Sequence, residues 1–313
     1  MTPKPKTGKI KLLLIGLVDA ALLVLCLVQI FHPIFHFGNF GLFNAQGTIA
    51  QAQGRLIILA ILLMLLIAVP VIITGYTVAF RYREGANRAY EPDWGERHKH
   101  LQFLWWACPA LIIALISIIN FKSAHELDPT RVIPSPLPPL TVQVVALQWK
   151  WLFIYPAQRI ATVNFLEIPQ NVPVNFELTA EGPMSLFWIP QLGGQMAAMA
   201  GMETRLNLMA TKPGQFVGQN SEINGSGYAH MQFAVNSVPP ADFNSWANSL
   251  QASPPLTESA YQQLLTPSQD APPAYFSYPN DSLYNSIMMK YMEPPTPSAT
   301  PGSMDDMPGM EMH

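Results

Sequence analysis

Cysteine is nearly absent from this chain of 313 residues. Its two cysteines, Cys26 and Cys108, are too few for a multi-bridge disulfide framework or a thiolate zinc cage. Charge is scarce as well: 12% of residues are Asp, Glu, Lys or Arg, about half the roughly 25% of a soluble domain. The formal charge of −3 leaves no basic surface for nucleic acid. A mean hydropathy of +0.19 excludes both an ordinary cytosolic enzyme and a disordered chain. There is no P-loop, no His-Glu-x-x-His, no Cys-x-x-Cys and no motif that marks a hydrolase. What is abundant is apolar residues, at 50%, and proline, with 30 residues. The composition is that of a membrane-anchored protein with room for about two domains.

Three apolar stretches are long enough to cross a bilayer core of about 30 Å at about 1.5 Å per residue. They run from Leu12 to Phe31, from Leu56 to Phe80 and from Leu101 to Phe121. Lys4, Lys6, Lys9 and Lys11 precede the first, and Arg81, Arg83, Arg88, Arg97 and Lys99 lie between the second and third. No Lys or Arg falls between His32 and Gly54. Basic loops stay in the cytoplasm, so the chain after Phe121 is expected outside it, in the periplasm of a bacterium. The first stretch, within residues 1–35, reads either as a signal segment or as an extra membrane helix. Cys26 follows Leu-Val-Leu, without the small residue expected before a lipidated cysteine, so an ordinary lipid-facing thiol is the simpler reading. His32 and His36 have a metal-binding spacing, but Pro33 and the membrane edge favour an interfacial pair.

A proline-rich connector, Asp128 to Pro139, leads into period-two alternation, the pattern of strands with one buried face. Leu147, Trp149, Trp151, Phe153 and Tyr155 are expected to share one strand face, with Gln148 and Lys150 opposite. Val172, Val174, Phe176 and Leu178 form a second such run. Shorter ones follow at Leu186–Ile189, Arg205–Ala210 and Tyr228–Val235. Residues 140–238 therefore read as a β-sandwich or small barrel. In residues 239–293, Asp242–Gln251 and Glu258–Leu265 read as short helices, followed by an aromatic-rich stretch. Residues 294–313 are rich in Pro, Ser and Met and are expected to be disordered.

Specific motifs then point to a family. Leu186-Phe187-Trp188-Ile189-Pro190-Gln191-Leu192-Gly193, Ala200-Gly201-Met202-Glu203-Thr204-Arg205-Leu206 and Gly218 to Ser226 before Met231 resemble the cupredoxin domain of subunit II of haem–copper terminal oxidases. The resemblance runs from about Gly54 to Val238. It implies a membrane hairpin (residues 36–122, helices about 56–80 and 101–121), an all-β cupredoxin-like sandwich and a short helical extension.

The cytochrome c oxidases of that family carry a dinuclear copper centre here. Laid on this chain, its two His positions are Ser185 and Tyr228, and its two Cys positions are Asn220 and Asn224. Only Glu222 and Met231 match the family's ligand set. A dinuclear copper site needs bridging thiolates, and hydroxyls of Ser and Tyr do not ionise near pH 7. Met231 is expected on a core-facing strand face with Phe233 and Val235, and in the family the Glu ligates through its main-chain carbonyl. The resemblance is thus to the cytochrome bo-type quinol oxidase branch, which Gln148-Trp149-Lys150-Trp151-Leu152-Phe153-Ile154-Tyr155-Pro156 also resembles. Trp149 holds the position of the electron-entry tryptophan and, without a metal beneath it, is expected to pack or to touch subunit I.

For this chain the resemblance implies a non-redox subunit II of a proton-pumping ubiquinol oxidase. No cofactor is expected in the chain itself; haems and one copper belong to subunit I, and ubiquinol is the substrate of the complex. Its partners would be subunit I, smaller membrane subunits and lipid, with no cytochrome c. The expected location is the bacterial inner membrane, multi-pass, with the C-terminal domain periplasmic. The alternatives are a cytochrome c oxidase subunit II and a membrane-tethered copper-delivery protein, the latter resting on the tail methionines Met304, Met307, Met310 and Met312. In the bo branch a Glu seven residues before the proline of the third segment feeds a proton channel. Counting back from Pro109 gives Gln102, an amide. Glu96, His98 and His100 nearby are candidates for that entrance; the simpler reading makes them interfacial polar residues.

Overall fold

The computed structural model describes residues 44–83, 99–278 and 282–291. The expectations for residues 1–35, Cys26, His32, His36 and the methionine-rich tail lie outside the described residues. Two long helices come first, α1 (Thr48–Arg81) and α2 (Lys99–Glu126). Each contains an 18-residue apolar window, and neither window is buried within the chain. Both tolerate an internal proline, Pro70 in α1 and Pro109 in α2, as membrane helices do when neighbours satisfy the freed backbone.

Helix α1 starts at Thr48, ahead of the Leu56 that hydropathy marks as the start of its apolar run. Its first turn belongs to the β-domain. The Gln46 and Gly47 N–H groups donate to Gln191 O, Thr48 N–H to Met209 O and Ala50 N–H to Leu192 O. Ala50 is buried there, and a Cβ at Gly47 would fall 2.7 Å from Leu192 O. Hydropathy does not register this turn because it inserts into protein rather than lipid.

The β-domain is a sandwich of two sheets. Its strands are β1 (Leu140–Leu147), β2 (Lys150–Tyr155), β3 (Ile160–Val163), β4 (Phe165–Pro169), β5 (Val174–Ala180), β6 (Ser185–Trp188), β7 (Gln195–Ala198), β8 (Thr204–Leu208), β9 (Gly214–Asn220) and β10 (Gln232–Val238). After it come α3 (Pro240–Leu250), α4 (Glu258–Leu265), β11 (Ala274–Ser277) and α5 (Leu283–Lys290). One sheet has the order β11-β3-β2-β1-β5-β8 and the other β4-β10-β9-β6-β7. Strands β1 and β5 run parallel, as do β4 and β10; the other pairs are antiparallel. Between the sheets lies a core that includes Val142, Val144, Trp151, Phe153, Phe176, Phe187 and Phe233.

Two expectations need correction, and a third gains a strand. Leu147 to Tyr155 is a hairpin rather than one strand, because the chain reverses through Gln148 and Trp149, with Trp149 at φ +65°. The reversal puts Leu147 in a second core, while Trp151 and Phe153 face the first. Period-two alternation survives a two-residue reversal, so the pattern alone does not reveal it. Tyr228–Val235 is not a continuous strand: Tyr228–His230 form a 3₁₀ turn and β10 begins at Gln232. The C-terminal extension is more than helical, since β11 pairs antiparallel with β3 and widens the first sheet. That extension lays Leu256, Tyr261, Tyr278, Tyr284 and Ile287 against Val145, Leu147, Leu152 and Ile154, which makes the second core.

Candidate functional site

The positions singled out by sequence gather at one end of the second sheet. Strands β6 and β9 pair there, with Phe187 opposite Asn220. Beyond that pair, β6 begins at Ser185, and β9 gives way to the loop 221–227, the 3₁₀ turn and Met231. Asn220 closes the end of β9 with its carboxamide. Its Oδ1 accepts from Leu186 N–H at 2.9 Å and from Glu222 N–H at 3.0 Å, and its Nδ2 donates to Glu222 O at 2.9 Å. Its own backbone N–H donates to Met231 O at 3.0 Å. Such Asx bonding to the chain two residues on is what an Asn side chain does well where a strand turns into a loop.

Asn224 ties the far side of the loop back to β6. Its Nδ2 donates to Ser185 Oγ at 2.8 Å and to Met184 O at 3.0 Å. Ser185 is 1% exposed, and its Oγ lies 4.0 Å from the sulfur of Met231, itself 1% exposed. Ser185, Asn220, Asn224 and Met231 are thus joined directly. Glu222 joins through its main chain, and Tyr228 through its carbonyl, which accepts from Met231 N–H. The donor set is two neutral carboxamides, a hydroxyl and a thioether, and the amide groups are largely committed to hydrogen bonds. Among the described residues, no group of three or more His, Cys, Asp or Glu gathers anywhere.

Trp149 closes the site from above. A bulky residue at φ +65° is rare and costs about 1–3 kcal/mol, so surrounding contacts must hold it. The loop supplies them with glycine. A Cβ at Gly227 would fall 2.3 Å from Trp149 Cδ2, and one at Gly225 would fall 3.1 Å from Cζ2. Beneath the loop, Phe187 stacks on Phe233 at 5.3 Å between centroids, and Trp151 meets both edge-on.

The proton-entry candidates lie elsewhere. His100 and Gln102 are exposed on the first turn of α2, and Gln102 precedes Pro109 by about 10 Å of helix rise. Glu96 and His98 lie outside the described residues.

Sequence reasoning missed the groups that fasten the extension. Lys150, 3% exposed, donates from Nζ to Thr266 O at 2.8 Å, at the C-terminal end of α4 where a helix dipole favours a cation. Burial pulls its ammonium below the usual lysine range. Glu181, with its side chain 4% exposed, accepts from Lys290 Nζ, and the Tyr291 hydroxyl reaches the same oxygen at 3.4 Å. Asn164 accepts from Trp151 N–H and donates to Ala271 O. The one available signal was Lys150 itself, a lysine inside an apolar strand run.

Residues 157–238 match the family model described as the periplasmic domain of cytochrome c oxidase subunit II, and residues 251–295 match the COX aromatic-rich motif. The chain is 40% identical over 252 residues to the cytochrome bo(3) ubiquinol oxidase subunit 2 of Pseudomonas aeruginosa, a match covering 80% of this chain and 76% of that one. It is 40% identical over 255 residues to the protein of the same name in Pseudomonas putida, covering 81% of each. It is 35% identical over 280 residues to the ubiquinol oxidase subunit 2 of Acetobacter aceti, covering 88% of this chain and 87% of that one.

Proposed function

The chain belongs to the subunit II family of ubiquinol oxidases, and from that premise we propose that it is the non-redox subunit II of a proton-pumping oxidase. The complex oxidises ubiquinol and reduces oxygen to water. This chain caps and stabilises subunit I, which holds the haems and the copper. Helices α1 and α2 pack against subunit I in the inner membrane, alongside smaller subunits and lipid, and the sandwich sits on the periplasmic face. Their large exposed apolar side chains, among them Phe103, Trp106 and Leu111, support a lipid-and-protein environment.

The observation that carries the reading is the polar clasp. The residues at the positions of the family's dinuclear copper centre do not fit that group. Carboxamides are poor bridges for two metals, and here they already serve Leu186, Glu222, Met184 and Ser185. Electrons therefore need another way in, and membrane ubiquinol delivering to subunit I supplies one without cytochrome c. Oxygen uptake by the complex purified through this chain tests it. Turnover on ubiquinol and none on reduced cytochrome c is the expected result.

At the cytoplasmic side, Glu96, His98 and His100 are interfacial polar residues beside Gln102; the alternative is that one of them serves a proton entrance there. If one of them does so adequately, Gln102→Glu leaves turnover unchanged; a clear gain in turnover contradicts that assignment.

A further inference from the structure

Asn224 is followed by glycine, and it is the only asparagine in the chain that is. A backbone nitrogen can attack the side-chain carbonyl of the preceding Asn, and the approach is easiest when the attacking residue is Gly, which has no Cβ in the way. The loop leaves that route open. The Gly225 N–H makes no hydrogen bond among the described residues, Gly225 is exposed, and Asn224 Oδ1, although buried, has no hydrogen-bond partner. The flanking backbone is irregular, with Gly225 at φ +132°.

Among the described residues, the asparagines followed by serine are closed. At Asn220-Ser221, the Ser221 N–H is tied to Leu186 O at 3.1 Å, and both ends of the Asn220 amide are bonded. Asn236 lies within β10, Asn244 and Asn248 within α3, and Asn285 within α5, where the backbone is held in regular conformations.

We propose that Asn224 is the chain's site of spontaneous deamidation, and that its conversion opens the clasp between the loop 221–227 and β6. The Gly225 nitrogen bonds to Asn224 Cγ, and the bond from Cγ to Nδ2 breaks. Ammonia departs, carrying the proton that Gly225 gives up. Water then opens the five-membered ring to aspartate or isoaspartate. No co-reactant but water is needed. The product changes the clasp because a carboxylate only accepts hydrogen bonds. It cannot donate to Met184 O, which then faces an oxygen where it faced an N–H at 3.0 Å. Isoaspartate further lengthens the main chain by one methylene at the base of the loop.

The test is a time course on the detergent-solubilised complex at mildly alkaline pH. Peptide mass spectrometry follows the mass gain of amide-to-acid exchange, and a Glu-specific protease probes the Glu222–Ile223 bond inside the loop. Expected are conversion at Asn224 ahead of Asn220, Asn236, Asn244, Asn248 and Asn285, and faster cleavage after Glu222 in aged protein and in Asn224→Asp than in fresh protein. Conversion at any of those other sites first, or none at Asn224, overturns the site. Unchanged cleavage in both aged protein and Asn224→Asp overturns the opening of the clasp.

Discussion

Two regions of the β-domain are held by different physics. Where β6 and β9 meet, the loop 221–227 is fastened by side-chain amides: Asn220 and Asn224 between them satisfy backbone groups of Leu186, Glu222 and Met184. On the outer face of the six-stranded sheet the extension is fastened by apolar burial, with Leu152, Ile154, Tyr278 and Tyr284 at 1% exposure or less. Lys150 and Glu181, which flank Leu147 at one end of that sheet, each add a polar contact to the extension. The difference teaches that one fold closes a short polar loop and a long apolar segment by different means. A loop too short and too polar to build an apolar core of its own is closed by the carboxamides of two asparagines. A long segment with an aromatic every few residues builds a second core instead.

The apolar side breaks with the largest effect. Ile287→Ala removes a residue that is 3% exposed in the second core and is expected to cost about 2–5 kcal/mol. Limited proteolysis will then find the extension cut while the sandwich resists. Asn220→Ala comes next, since it leaves the Leu186 and Glu222 N–H groups without their acceptor, at about 1–3 kcal/mol. Denaturant unfolding measures it, and Asn220→Asp, which keeps the acceptor oxygens but loses the donor to Glu222 O, should recover only part of the loss. Gly227→Ala drives a methyl into the Trp149 ring and is expected to cost about 1–3 kcal/mol as overpacking. A changed Trp emission accompanies it.

The smallest effect is pH-dependent and sharpens the contrast on the extension side. Because burial lowers the Lys150 pKa in the folded chain, the unfolded chain binds more protons between the folded value and about 10.4. Stability contributed at this position therefore rises as pH climbs through that window. Thermal melts across mildly alkaline pH should show that component in the wild type and lose it in Lys150→Met.

Much of this arrangement was legible in the sequence, for physical reasons. Alternation marked β5 and β10 because one face of each strand is buried, and long apolar runs marked α1 and α2. The candidate site was located through the Phe187-Trp188-Ile189-Pro190 segment and the loop after Gly218, and the fold brings Ser185, Asn220, Asn224 and Met231 together there. Three features were hidden. The reversal at Trp149 preserves a period of two, the anchoring turn of α1 around Gly47 carries no hydropathy signal, and the pairing of β11 with β3 depends on the sheet edge that receives it. The hydrogen bonds of the clasp were hidden for another reason: asparagine names a donor and an acceptor but not their partners.

The central claim is that this end of the domain is closed by amides and carries no metal. Copper-to-haem stoichiometry of the complex purified through this chain tests it most directly, read together with the spectrum of a mixed-valence copper pair. One copper for two haems, without a mixed-valence signal, is what the clasp predicts. Three coppers with that signal would contradict it, and would place metal where Asn220 and Asn224 are drawn as hydrogen-bonding groups.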